Sequence, residues 1–262
     1  MIKSSYEIAR PFGIPIRLDM SLIILLFFFV SDSGSPFYGL AAGVALLLSI
    51  TLHELGHSLV AMAFGCRVRD ITLMMMGGCA TLLNMPRKAW QEFLVAAAGP
   101  AVSLSLGFSG LWMVHHIPFS DSVAGFIYNQ IGWLNIVLGI FNLLPAFPMD
   151  GGRILRAILQ QFFMSRLKAT WIAVRVGQLV ALLMAVSVGY SFLSGNAHGF
   201  MLIRLLIAYF IYRAAGQEYQ AVLAESRQNG PFDGFNGPPG DEVRISPPPY
   251  RSGREWTDIK RL

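Results

Sequence analysis

Apolar and polar positions alternate along this chain in long blocks rather than with a short period. A bilayer crossing needs about 20 apolar helical residues, and runs of that length cover residues 37–64, 93–117, 123–147 and 170–193. Two further runs are weaker: residues 18–30 are short, and residues 199–215 are interrupted by Arg204. Counting both gives six spans. The connecting segments 31–36, 115–122 and 194–198 contain no Lys or Arg, whereas the alternate segments hold Arg67, Arg69, Arg87 and Lys88, then Arg153, Arg156, Arg166 and Lys168. Basic residues collect on the cytoplasmic side, so those segments and both termini are expected there.

The pattern predicts an all-α polytopic membrane protein with about six transmembrane helices and a small membrane-associated β-hairpin. The hairpin is read from residues 68–83, where β-compatible residues flank Gly77-Gly78, a pair suited to a tight turn; the rival reading is an irregular loop. Residues 1–17 form an N-terminal cytoplasmic or interfacial segment and residues 18–215 the membrane domain. Residues 216–262 form a cytoplasmic helix end followed by a Pro/Gly-rich tail expected to be disordered. Within that tail, Pro247-Pro248-Pro249-Tyr250 has the form of an extended docking peptide, although the plainer reading is a solvated tail.

Composition agrees with a membrane protein: 54% of the residues are hydrophobic and only 13% charged. The formal charge of +5 is accounted for by topology and does not call for a nucleic-acid partner. Two cysteines, Cys66 and Cys79, make neither a disulfide framework nor a Cys-x-x-Cys metal pattern. No cleavable signal stands out, so the first span is expected to stay in the mature protein.

The chemistry concentrates in His53-Glu54-Leu55-Gly56-His57. Two histidines four residues apart project from one face of a helix and can share a zinc ion, with Glu54 beside them as a general base. Ionisable residues inside an apolar span are costly unless paired or hydrated, which weighs against their being ordinary core residues. A catalytic zinc site needs a third protein ligand, and the candidate is Asp150. It follows Asn142-Leu143-Leu144-Pro145-Ala146-Phe147-Pro148-Met149 and precedes Gly151-Gly152, where prolines and glycines break a helix. By itself Asp150 reads equally as a turn residue. Topology favours the ligand: the second and fourth spans run in the same direction, and His57 lies about 12 Å below the boundary at Gly65, close to where Asp150 leaves the membrane. Gly132, Asn135, Gly139 and Asn142 make one small, polar face expected to meet the second span. Asn142 is a candidate for holding the oxyanion or the substrate backbone, and Asn135 for a bond to another helix. His115, His116 and His198 fall in outer segments, and Arg204 reads as a snorkelling side chain. Gly99-Pro100 and the Met74-Met75-Met76 run read as packing and flexible contact.

With these residues in view, the chain resembles the site-2 protease family of intramembrane zinc metalloproteases. The resemblance rests on His53-Glu54-Leu55-Gly56-His57, on the motif from Asn142 through Asp150 to Gly151, on Phe12-Gly13-Ile14-Pro15-Ile16-Arg17 and on Ala98-Gly99-Pro100. It covers roughly residues 10–212. It implies that His53, His57 and Asp150 bind zinc (Zn2+), that Glu54 is the catalytic carboxylate, that Asn142 lies near the substrate, and that the membrane domain has six helices. In contrast to many relatives, no room is expected for a PDZ domain or a paired nucleotide-binding regulatory domain.

The expected function is hydrolysis of peptide bonds within or beside transmembrane segments, with a transmembrane protein as substrate and the lipid bilayer as surroundings. The substrate helix unwinds and adds an extended segment to the hairpin. A catalytically inactive zinc-binding scaffold and a zinc or proton transporter are the alternatives, and neither needs Glu54. The expected location is a bacterial cytoplasmic membrane, with an archaeal one as the alternative.

Overall fold

A computed structural model of the chain describes residues 5–32, 34–75, 77–84, 88–116, 122–194 and 201–228. Residues Met1–Ala224 form one compact unit. The second, Glu225–Leu262, is described only where it continues the last helix; the Pro247–Tyr250 motif, His198 and Met76 lie outside the described residues.

Two strands, β1 (Ser5–Ala9) and β2 (Ile16–Asp19), are followed by a short helix α1 (Leu22–Asp32) and a long one, α2 (Pro36–Ala63). Strands β3 (Val68–Met74) and β4 (Gly77–Leu82) come next, then α3 (Ala89–His116), α4 (Val123–Asn142), α5 (Asp150–Phe162), α6 (Arg166–Leu193) and α7 (Met201–Gln228). Among the described residues, α2, α3, α4 and α6 are long and apolar enough to cross a membrane. Helix α1 has 11 residues, about 16 Å at the helical rise, roughly half a hydrocarbon core. Helix α7 carries Arg204 and Arg213 in its first half. The span expected over residues 18–30 therefore begins in fact with a strand, because Leu18 belongs to β2.

Residues 68–83 do form a hairpin, but with two corrections. The turn falls between Met74 and Gly77, and the glycines lie in β4, with Gly77 opposite Met74 and Gly78 opposite Leu73. Gly78 is needed in the strand, since a Cβ there would come within 2.6 Å of Glu54 Cγ and 2.8 Å of Ile50 Cγ2. The hairpin is also only half of a four-stranded sheet of order β1-β2-β3-β4. Strand β2 pairs antiparallel with β1 and parallel with β3, Ile16 lying opposite Ile71. One face of this sheet packs Ile16, Ile71 and Leu73 against Ile50 and Leu55 of α2, which seats it beside the histidines.

Local chemistry sets the ends of the helices that carry the site. Helix α2 starts at Pro36, a residue suited to a first turn. It stops at Gly65, whose φ of +80° allows the reversal. The Gly65 N–H donates to Met62 O at 2.9 Å and the Cys66 N–H to Ala61 O at 3.0 Å, a paired closure typical of glycine-terminated helices. The Ser122 hydroxyl accepts from the Gly125 N–H at 3.2 Å and caps α4.

Helices α3 and α4 approach closely through glycine: a Cβ on Gly110 would lie 2.9 Å from the Gly132 nitrogen. The small face of α4 thus meets mainly α3, with Gly132 against Leu111 and Gly139 against Leu104. Asn135 turns to α2, donating to Ser49 Oγ at 2.7 Å. Arg204 is bonded as well as exposed, its Nη2 donating to Ser187 Oγ of α6 at 2.7 Å. Large apolar side chains such as Trp133, Val137, Leu182 and Leu183 face outward, as they do on a surface wetted by lipid.

Candidate metal centre

His53 and His57 sit one turn apart on α2, both buried, with rings inclined at 79°. Asp150 arrives from a separate part of the chain. Helix α4 ends at Asn142, the loop 143–149 folds back, and Asp150 opens α5. This short amphipathic helix replaces the simple helix break expected at Gly151-Gly152. Both glycines are required by contact: a Cβ on Gly151 would strike the Leu143 and Leu144 carbonyls, and one on Gly152 would come within 2.7 Å of the Phe147 nitrogen. The loop is thereby pressed onto the first turn of α5, and the carboxylate of Asp150 is aimed at the histidines.

The three groups meet at one point. Asp150 Oδ2 lies 3.1 Å from His53 Nε2 and 3.1 Å from His57 Nε2, and the two nitrogens are 3.1 Å apart. The outer ring atoms are already engaged. His57 Nδ1 lies 2.7 Å from the carbonyl oxygen of Val95, which can only accept, so this nitrogen carries the proton. In the neutral ring, Nε2 then presents a lone pair. His53 Nδ1 is 2.9 Å from Ser103 Oγ. The His57 Nε2 lone pair, the Asp150 oxygen and His53 Nε2 face one common point, where a cation between them would be held by all three. Ligand atoms at the usual 2.0–2.1 Å from a tetrahedral zinc stand about 3.3 Å apart, near the observed spacing, so the donor set and its geometry fit zinc. These three residues are a group of potential ligands whose donor atoms lie within 4.8 Å of one another.

Glu54 is next to His53 and half-buried, with Oε2 accepting from the Ala80 N–H of β4 at 3.3 Å. The carboxylate thus rests on the sheet edge beside the cluster. Asn142 stands at the end of α4, its amide donating to the Leu138 carbonyl at 3.0 Å within its own helix. The structure brings His53, His57 and Asp150 together and leaves Asn142 outside that group. His115 and His116 are exposed at the far end of α3, bonded to the Leu111 and Trp112 carbonyls.

The profile of peptidase family M50 matches residues 41–126 and 109–185, more than half of the chain and all the residues of the cluster. The chain belongs to peptidase family M50. Relatives agree with that membership. A zinc metalloprotease of Methanocaldococcus jannaschii is 35% identical over 224 residues, which is 85% of this chain and 62% of that protein. A Synechocystis sp. protein, provisionally named a zinc metalloprotease, is 38% identical over 191 residues, 68% of this chain and 50% of the relative. The chain therefore spans between half and two thirds of the length of these M50 relatives. A solved site-2 protease from M. jannaschii is 36% identical and superimposes with a TM-score of 0.60, covering 82% of this chain and 95% of that one.

Sequence reasoning missed Val95 and Ser103, which orient this M50 cluster, and read Gly99 only as a packing residue. Val95, Gly99 and Ser103 share one face of α3. Val95 O and Ser103 Oγ hold the outer ring nitrogens. Gly99 lets the backbone pass against the rings, since a Cβ there would stand 2.7 Å from His53 Nε2. A carbonyl acceptor has no signature in sequence, but a glycine and a serine four residues apart in an apolar span are a legible one.

Proposed function

We propose that this M50 chain is an intramembrane zinc endopeptidase that hydrolyses peptide bonds within or next to transmembrane segments of membrane proteins. The observation that carries this reading is the convergence of His53 Nε2, His57 Nε2 and Asp150 Oδ2, 3.1 Å from one another, among helices able to cross a membrane, with the Glu54 carboxylate on the adjoining residue. His53, His57 and Asp150 hold the zinc. A zinc ion in this position supplies Lewis acidity, polarising a carbonyl oxygen and making water acidic near neutral pH.

Glu54 takes a proton from the attacking water as the new C–O bond forms, and returns it to the amine as the C–N bond breaks. Ser103 and Val95 keep the imidazoles in the tautomer and orientation that aim Nε2 inward. The exposed edge of β4 accepts an extended substrate segment as an added strand; the Ala80 N–H, now bonded to Glu54, lies on that edge. Asn142 steadies the substrate backbone once its amide leaves Leu138. Helix α1 with β2, and the apolar half of α7, complete six crossings. The distribution of Lys and Arg supports an orientation with the site toward the cytoplasmic leaflet, and the membrane proposed is a bacterial cytoplasmic one. The partners are a transmembrane protein substrate and the bilayer, with no nucleic acid.

The test is cleavage by purified, reconstituted protein of a panel of single-span membrane proteins, parent against Glu54→Gln. The parent is expected to cut, and the variant to keep its zinc while slowing by about 10² to 10⁴, the usual contribution of a general base. Cutting by Glu54→Gln at the parental rate refutes the mechanism. Retention of partners with no cutting by either protein replaces it with a scaffold.

A further inference from the structure

The least exposed cation in the described residues is Arg156, in the middle of α5, with 0% of its surface accessible. Its Nε lies 2.8 Å from Glu92 Oε1, and Nη2 bonds the same oxygen. Nη1 reaches Glu218 Oε1 of α7 at 2.6 Å. Arg166 Nη1, at the start of α6, is 3.8 Å from the other oxygen of Glu92. The guanidinium carbon lies over the ring of Phe147, 5.0 Å from its centroid. One side chain therefore joins α3, α5, α7 and the loop before Asp150.

The elements it joins are those that build the metal centre. Arg156 follows Asp150 by about 1.7 turns on one rigid helix. Glu92 precedes Val95 by three residues on the same face of α3, and Val95 O is the partner of His57 Nδ1. The Arg156–Glu92 pair thus ties the helix carrying the third candidate ligand to the turn that orients the second histidine. Phe147, three residues before Asp150, is held on its other side by α6, where a Cβ on Gly177 would come within 3.2 Å of its backbone nitrogen and oxygen.

We propose that Arg156 is a positioning residue: clamped between Glu92 and Glu218, it sets the separation of Asp150 from the two histidines. This inference rests on the reading of the cluster as a zinc site. A planar guanidinium is required because three nitrogens donate in fixed directions while its central carbon lies over the Phe147 ring; an ammonium cannot reproduce this. Glue between helices alone would affect unfolding but leave the folded centre unchanged.

The experiment compares Arg156→Lys, Arg156→Met and Glu218→Gln with the parent in detergent. It measures zinc affinity by chelator competition, the electronic spectrum of the cobalt(II)-loaded protein, and thermal unfolding. Changes in residues that support metal ligands typically cost 10- to 100-fold in metal affinity. That loss, with an altered cobalt spectrum, is expected for folded Arg156→Lys and Arg156→Met. A smaller loss in the same direction is expected for Glu218→Gln, which keeps the Glu92 pair and serves as the deciding variant if the other two do not fold. Folded variants with parental affinity and spectrum overturn the positioning role alone. A parent that takes up no zinc overturns the underlying metal reading instead.

Discussion

Replacing Gly99 by Ala adds one methyl group where α3 passes the two imidazoles. The new carbon would stand 2.7 Å from His53 Nε2 and 2.5 Å from His57 Cε1, and closer still to His57 Nε2. Ordinary contact needs about 3.5 Å and the nearest atom is His57 Nε2, so the His57 ring or the helix must move by roughly 1.3 Å. Helix α3 has little freedom to retreat, because Gly107 and Gly110 hold it against the backbone of α4. The rings must therefore yield, and metal–ligand distances tolerate only about 0.2 Å. Intrinsic propensity acts the other way, favouring Ala over Gly in a helix by up to about 1 kcal/mol, but overpacking costs about 1–3 kcal/mol and decides the sign. Gly99→Ala is expected to lower zinc affinity at least tenfold. A misplacement of about 1 Å costs on the order of 10²-fold in rate, so cleavage should fall by at least that factor. Chelator competition and cleavage of a reconstituted substrate measure the two effects. Parental zinc affinity together with parental cleavage would refute the close approach on which the reasoning depends.

Ser103→Ala removes the partner of His53 Nδ1 and is expected to weaken zinc binding by about 10- to 100-fold, read by the same competition assay; unchanged affinity would show that the hydroxyl does not orient the ring. Cys79 reports on Glu54 without touching the metal. Partial burial first, and the charge of Glu54 next, push its thiol above the ordinary value, so less thiolate is present at a given pH. Alkylation of Cys79 should therefore accelerate at a higher pH than for an unperturbed thiol, and Glu54→Gln should move that profile to lower pH. Cys66 is buried and contributes little background. Identical profiles in parent and variant would contradict the proximity.

The four long spans and the two histidines were legible because their signals are local: apolar length, and a spacing of four on a helix. Asp150 was legible through topology, the direction of two spans fixing which ends share a side. Strands β1 and β2 were not, since β2 finds its parallel partner β3 about fifty residues away and the apolar run beginning at Leu18 imitates the start of a helix. Helix α5 was hidden by Gly151-Gly152, which read as a break although both glycines serve the fold of the preceding loop onto its first turn. Gly77-Gly78 misled only in part: Gly77 keeps the positive φ of a turn residue, +129°, where the chain enters β4, whereas Gly78 lets the strand pass close to Glu54. The face holding Gly132, Gly139 and Asn135 was recognised, but spacing could not say that its glycines meet α3 and its asparagine α2. Arg156 reads in the sequence only as a cytoplasmic charge, because the carboxylates that pair with it come from residues 92 and 218.

The central claim is that His53, His57 and Asp150 together hold zinc, and metal content tests it most directly. Elemental analysis of the purified parent and of Asp150→Ala, both shown to be folded, is expected to give about one zinc per chain in the parent and a small fraction of that in the variant, since two imidazoles alone leave a catalytic site a ligand short. Equal zinc in the two proteins, held equally tightly against a chelator, would contradict the account.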